Sequence, residues 1–273
     1  MTTSPTQLKD LLAILEELAA SSLAESWDNV GLMVGDPRIE VSGVLVGLDF
    51  TEDILVEAEE CGCNVVVTHH PLIFKPLQSV RVDQVTGRLL ARALTSGIAV
   101  VSCHTNLDKV AGGVNDVLAS RLGILDCRVL AVDPGGIPGV GFGRIGDLPE
   151  QTLFKDFAGT LLGVLEVPTV LIAGAVPRTI STVAVCGGSG SELAETAMMA
   201  GADLFITGEV KHSTARWAEG AGFCVIDGGH YATENLVVPG LVRSIADGCT
   251  SRGGSPEVVA TKRQTSPFQF YSK

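Results

Sequence analysis

The sequence predicts an α/β protein of two related lobes, with mostly parallel or mixed sheets flanked by helices. Three observations lead there. Short apolar runs of strand length alternate with segments of helical period, which is the grammar of parallel strands joined by helical crossovers. The pattern of the first half returns in the second: a shift of 139 positions lays Val183-Ala184-Val185 on Val44-Leu45-Val46, Gly201 on Gly62 and Leu204-Phe205-Ile206-Thr207 on Val65-Val66-Val67-Thr68. Between the halves, Asp133-Pro134-Gly135-Gly136-Ile137-Pro138-Gly139 breaks the pattern as a hinge would. On this reading the N-terminal lobe covers residues 1–130 and the C-terminal lobe residues 131–273.

The elements follow in order. Ser4-Pro5-Thr6-Gln7 has the form of a helix start, with a capping Ser and Pro at the first helical position. Leu8, Leu11, Leu12, Leu15 and Leu18 then recur at helical spacing. Ser26-Trp27-Asp28-Asn29-Val30-Gly31-Leu32 is either a turn around a buried Trp or a loop lining a site. Val44 to Asp49 reads as a strand, Glu52 to Glu60 as a helix and Asn64 to Thr68 as a second strand. Gly87 to Leu94 is helical, Ile98 to Ser102 is a third strand, and a helix after Gly113 carries the chain to Leu122. In the second half, Gly187-Gly188-Ser189-Gly190-Ser191 leads into a helix over Glu192 to Met199. It is either a tight turn or an anion cradle, and it lacks the Lys of a nucleotide-binding loop. Phe223 to Asp227 repeats the strand Ile98 to Ser102.

Composition narrows the function classes. With 46% hydrophobic and 18% charged residues the chain can bury a sizeable core. A net charge of −12 without any basic run argues against nucleic acid as a partner, because nothing supplies phosphate neutralisation. Seven cysteines, mostly beside apolar strand-like segments, suit a reducing compartment better than a disulfide framework. No basic segment leads into an apolar leader and no apolar run reaches membrane-spanning length, so the expectation is a cytoplasmic protein without a membrane partner.

Chemistry concentrates in three stretches, Thr68-His69-His70-Pro71, His104-Thr105-Asn106-Leu107-Asp108 and His230-Tyr231-Ala232-Thr233-Glu234, which hold four of the five histidines. Two of them place a carboxylate four residues after His; in a helix that spacing puts both groups on one face, whereas in a loop the pairing needs other support. The double histidine follows a strand end, where α/β sheets bind ligands. Six such groups, His69, His70, His104, Asp108, His230 and Glu234, suit two divalent ions. Imidazole-rich sites favour zinc, iron or manganese over magnesium or calcium. In the repeat register Gly208-Glu209 falls on His69-His70, so Glu209, with nearby His212, is the candidate for acid/base work.

The motifs Trp27-Asp28-Asn29-Val30-Gly31-Leu32, Thr68-His69-His70-Pro71, Ser102-Cys103-His104-Thr105-Asn106-Leu107-Asp108, Ile206-Thr207-Gly208-Glu209 and Gly229-His230-Tyr231-Ala232-Thr233-Glu234 occur in the order that resembles the Nif-three-like family, labelled in bacteria as GTP cyclohydrolase 1 type 2 homologs. The resemblance runs from about residue 5 to Ser266-Pro267-Phe268. It implies a two-lobed protein with two divalent metal ions per subunit, the same six ligands and a toroidal homohexamer. Longer relatives carry an inserted third domain between the lobes, for which this chain is too short. Met33 stands where many relatives have Gln, which bears on a polar contact near the site.

The functional expectation is a metal-dependent hydrolase that uses a metal-bridging water on a small nucleotide-like or phosphoester substrate. Its alternative is a non-catalytic metal-binding, metal-handling or scaffold protein.

Overall fold

The computed structural model describes residues 5–133, 136–269 and 271. Helix α1 (Leu8–Leu18) leads to strands β1 (Gly31–Val34) and β2 (Gly43–Gly47), then α2 (Glu52–Cys61), β3 (Val65–Thr68), α3 (Val85–Thr95), β4 (Ala99–Ser102) and the short α4 (Thr105–Lys109). There follow α5 (Val114–Arg121), the paired β5 (Leu125–Val132) and β6 (Gly141–Leu153), α6 (Phe154–Leu165), β7 (Leu171–Ala173) and β8 (Thr179–Cys186). The chain continues through α7 (Ala194–Met199), β9 (Leu204–Thr207), α8 (His212–Ala221), β10 (Cys224–Asp227), α9 (His230–Glu234), α10 (Val238–Ser251) and β11 (Glu257–Ala260). Among the described residues no helix is long and apolar enough to cross a membrane.

Two compact units result. The first runs to Leu107 and resumes over Val238–Thr265; the second covers Asp108–Val237 and the tail from Ser266. The first holds a five-stranded sheet in the order β1-β4-β3-β2-β11, parallel except for β1. Its strands β2, β3 and β4 are buried along their whole length, which is why they read as continuous apolar runs. Leu45, Ile54, Leu55, Val66, Leu90 and Val100 centre its core. The second unit holds a six-stranded mixed sheet in the order β5-β6-β8-β9-β10-β7, with β8, β9 and β10 parallel. Its two faces are covered by clusters around Leu161, Ile180 and Ile226 on one side and Phe205, Ala218 and Val225 on the other.

Local chemistry explains the boundaries. Thr51 caps α2 by accepting from the Ile54 N–H at 3.4 Å, Glu52 and Asp53 favour the positive helix end, and Gly62 closes it in the left-handed region at φ 71°. At the N-terminus, Ser4 lies outside the described residues, and Pro5 is not helical. Helix α1 starts instead at Leu8, because Gln7 bridges Glu40 in an extended conformation and its N–H is accepted by Asp10 at 3.0 Å.

The division at residues 130 and 131 is not where the structure separates. That cut falls inside the hairpin of β5 and β6, which pair antiparallel through Val129↔Arg144 and Ala131↔Phe142. The glycine- and proline-rich stretch is the hairpin connection, of which Pro134 and Gly135 lie outside the described residues. The first unit also takes back the end of the chain: α10 packs on α1 and carries β11 into parallel register with β2, Val258↔Val44 and Ala260↔Val46.

Within each sheet the central register is the same. In the first, Val44↔Val65 through Gly47↔Thr68 pair β2 with β3; in the second, Val183↔Leu204 through Cys186↔Thr207 pair β8 with β9. Gly62 and Gly201, equivalent in the shift, both have positive φ.

Candidate metal centre

In the first unit, β3 and β4 end side by side and deliver three imidazoles. Just beyond β3, the His69 N–H is accepted by Gly47 O and the His70 N–H by Leu48 O, while Ser102 Oγ donates to His69 O. This turn past the strand end prevents His69 and His70 from diverging to opposite faces as strand neighbours would. Their ring centroids are 4.9 Å apart, and His104, leaving β4, lies 5.2 and 5.5 Å from them. The ligand nitrogens available on the three rings all lie within 4.8 Å of one another.

Each ring is held by its Nδ1. Cys103 O anchors His69 at 2.9 Å, Asp49 anchors His70 at 2.8 Å, and Asp28 anchors His104 at 2.7 Å. An ionised carboxylate or a carbonyl can only accept, so Nδ1 carries the proton and Nε2 is the ligand atom the ring can offer. Asp28 also accepts from the Thr105 hydroxyl and N–H, at 2.5 and 3.1 Å. Burial pushes its carboxyl up, but the hydrogen bonds from His104 and Thr105 outweigh that and hold it well below the usual carboxylate range. Asp49 is braced from behind by Gln264 Nε2 at 2.7 Å.

In the second unit, β9 and β10 play the corresponding part. His230 and Glu234 are the first and last residues of α9, and their Nε2 and Oε2 atoms are 3.0 Å apart. Two ligands bound to one ion at about 2.1 Å and near-right angles sit at roughly that separation, so the pair fits a shared cation. His230 Nδ1 is held by Glu209 at 2.8 Å, repeating the anchoring of the first unit. Glu234 is only 3% exposed and lies against the glycine turn: a Cβ at residue 188 would be 2.0 Å from its Oε1. Asn115 ties this turn to the end of α4, accepting from the Gly187 N–H at 2.9 Å and donating to Asp108 O at 3.0 Å. Burial, then the negative charges of Asp108, Glu192 and Glu234, push the Cys186 thiol far up. Nitrogen donors with fixed tautomers and a carboxylate held in a glycine cradle make a donor set suited to a divalent transition metal.

Glu209 orients His230 through Oε1, which leaves its other carboxylate oxygen outside that contact, and His212 opens α8 with an exposed side chain outside the clustered ligand groups of the described residues. Other expectations change. The glycine turn is a tight strand-to-helix turn, not an anion cradle. Gly187, Gly188 and Gly190 N–H donate to Asn115, Thr233 and Thr207, so these donors are taken internally. Trp27 is not buried: it is 58% exposed beside His104, and its loop lines the first cluster. Met33 offers a thioether 3.8 Å from Asn29 Nδ2, a weak substitute for the polar contact a Gln would make.

The anchors Asp49 and Gln264 were missed by sequence reasoning, because a carboxylate 21 residues before its His leaves no spacing signature. Asp28 was visible only as part of the polar loop around Trp27.

Known proteins share this architecture. A GTP cyclohydrolase 1 type 2 homolog of Clostridium acetobutylicum is 31% identical over 264 residues, covering 97% of this chain and 98% of that protein. A homolog of the same name from Streptomyces coelicolor is 34% identical over 232 residues, covering 84% and 81%. The solved structure of the Staphylococcus aureus hypothetical protein SA1388 superposes with a TM-score of 0.91 at 30% identity, covering 98% of this chain and all of that one. With the Duf34/NIF3 (NGG1p interacting factor 3) family model matching residues 6–267, nearly the whole fold and both histidine clusters, the chain belongs to that family.

Proposed function

We propose that the protein is a dinuclear metal-dependent hydrolase acting on a small nucleotide-like or phosphoester substrate. Its ligands are His69, His70, His104, Asp108, His230 and Glu234, with two divalent ions of zinc, iron or manganese per subunit. One observation carries the reading: four histidines are each fixed at Nδ1 by a carboxylate or carbonyl, which is how proteins prepare imidazoles for metals. The relatives' printed name, GTP cyclohydrolase 1 type 2 homolog, is in keeping with hydrolysis of a nucleotide-like molecule.

The chemistry such ions supply when bound is a water activated near neutral pH and a polarised substrate oxygen. The residues of the chain do the rest. Asp28, Asp49 and Cys103 O keep three rings in the Nε2-presenting tautomer. Glu209 does the same for His230, and its second oxygen is the proton acceptor we assign to the site; His212 would relay from the α8 start. Glu209→Gln separates the two roles of Glu209. The amide keeps an acceptor for Nδ1, so metal is retained, while a proton-accepting role is lost with the charge.

The two units descend from one duplicated α/β module, a reading supported by their matching strand registers and the positive-φ glycines at 62 and 201. The reading extends to a cytoplasmic homohexamer. The motif resemblance supports the assembly, and the seven free cysteines support a reducing compartment.

The test is reconstitution of metal-free protein with zinc, iron(II) or manganese(II), followed by a hydrolase screen on nucleotides and phosphoesters. Activity abolished in His104→Ala and Asp108→Ala with unchanged circular dichroism is the expected result. Full metal loading without turnover of any substrate would replace the hydrolase with a metal-handling or scaffold protein.

A further inference from the structure

The loop Trp27-Asp28-Asn29 does three things at once within the first unit. Asp28 anchors His104. Asn29 Nδ2 donates to Ile73 O at 2.6 Å, which fixes the neighbouring Phe74. Trp27 then meets Phe74 edge to face, with centroids 5.9 Å apart and planes at 64°. Both rings also reach His104, at 6.4 and 6.1 Å, again nearly perpendicular to it. Such a group would be ordinary core packing if it were covered. It is open instead: Trp27 is 58% and Phe74 42% exposed, although both side chains favour burial.

We propose that Trp27 and Phe74 form an aromatic subsite that stacks the planar ring of a heteroaromatic substrate beside the His69–His70–His104 cluster. This rests on the hydrolase reading and names its substrate class. The physical basis is that an exposed indole offers a π-face on which any planar base stacks, while the edge-on Phe74 and His104 wall one side and limit how far the ring can slide. A ring held on Trp27 places its substituents next to the three imidazoles, because His104 touches both aromatic groups. Asn29 is a positioning residue: it contributes no face, but sets where Phe74 stands.

Trp27 fluorescence reads the proposal directly once Trp217→Phe leaves Trp27 as the one tryptophan of the two. GMP is titrated against ribose 5-phosphate, which has the sugar and phosphate without the ring. Saturable quenching by GMP and none by ribose 5-phosphate is expected. By isothermal titration calorimetry, which needs no reporting indole, Trp27→Ala should weaken GMP binding about tenfold, with zinc stoichiometry unchanged, and Trp27→Phe should restore most of the affinity. If GMP leaves Trp27 emission unchanged, or ribose 5-phosphate quenches it equally, the subsite is overturned. The hydrolase reading fails separately: quenching by GMP without turnover of any substrate leaves the subsite standing, and turnover of ribose 5-phosphate without quenching by either compound leaves only the hydrolase.

Discussion

Gly188→Ala tests the carboxylate cradle, and Gly62→Ala calibrates it. Both glycines have left-handed backbones, φ 63° at Gly188 and 71° at Gly62, so either Ala costs about 1–2 kcal/mol in backbone strain. For a chain of this size that lowers the melting temperature by several degrees. The space around them differs. A Cβ at residue 62 meets nothing within 4 Å, whereas at residue 188 it would lie 2.0 Å from Glu234 Oε1 and 3.5 Å from His230 Nε2. Real Cβ contacts essentially never fall under 3.0 Å, so the carboxylate must retreat by about 1 Å. Being 3% exposed, it has little room to swing. Metal sites tolerate only about 0.2 Å of ligand displacement. Gly188→Ala should therefore weaken zinc binding on the order of 10–100-fold, while Gly62→Ala leaves it unchanged at a similar melting temperature. Chelator competition on both variants measures this. Equal zinc affinities would refute the assignment of Glu234 as a ligand seated on the glycine turn.

Further outcomes follow from the same geometry. Asp28→Ala and Asp49→Ala each remove the acceptor that fixes an imidazole tautomer, and each should lower metal affinity about 10–100-fold in the same competition assay; unchanged affinity would mean the anchors are only structural. Arg144 is buried, pairs with Asp116 and donates to the carbonyls of Lys109 and Val110 at the end of α4. Arg144→Leu removes the guanidinium's bonds to Asp116 and to those carbonyls from a buried site and should destabilise by about 3 kcal/mol, read by urea unfolding; a loss under about 1 kcal/mol would contradict that role. Burial raises the Cys224 thiol from 9.0 to about 11. The folded chain thus keeps a proton that the unfolded chain releases, so stability holds below pH 9 and falls through pH 11 by up to ~1.4 kcal/mol per pH unit. Cys224→Ala should lessen the alkaline slope by up to ~1.4 kcal/mol per pH unit, with other buried thiols such as Cys103 and Cys186 keeping the remainder, and an identical slope in the variant would show that Cys224 contributes nothing to it.

The parallel strands were legible because burial on both faces forces uninterrupted apolar runs, as in Val65-Val66-Val67 and Leu204-Phe205-Ile206. The His230–Glu234 pair was legible because helical spacing places both groups on one face, where they meet at 3.0 Å. The return of α10 and β11 to the first sheet was not. Glu257–Ala260 is a four-residue edge strand with no buried residue, and nothing in its composition names its partner. The antiparallel β5 and β6 escaped for a related reason: much of their surface is exposed, so polar residues break the apolar pattern. Asp49 and Gln264 could be assigned only in three dimensions, since Gln264 acts on a carboxylate 215 residues away.

The central claim is that these histidines and carboxylates hold two divalent ions. Elemental analysis of metal-free protein reconstituted with zinc, iron(II) or manganese(II), and then desalted, measures it most directly. The account predicts two ions per chain for at least one of these metals, with loss of bound metal in His104→Ala and in Glu234→Ala at unchanged circular dichroism. A chain that retains no metal, or one whose metal content survives both substitutions, would contradict it.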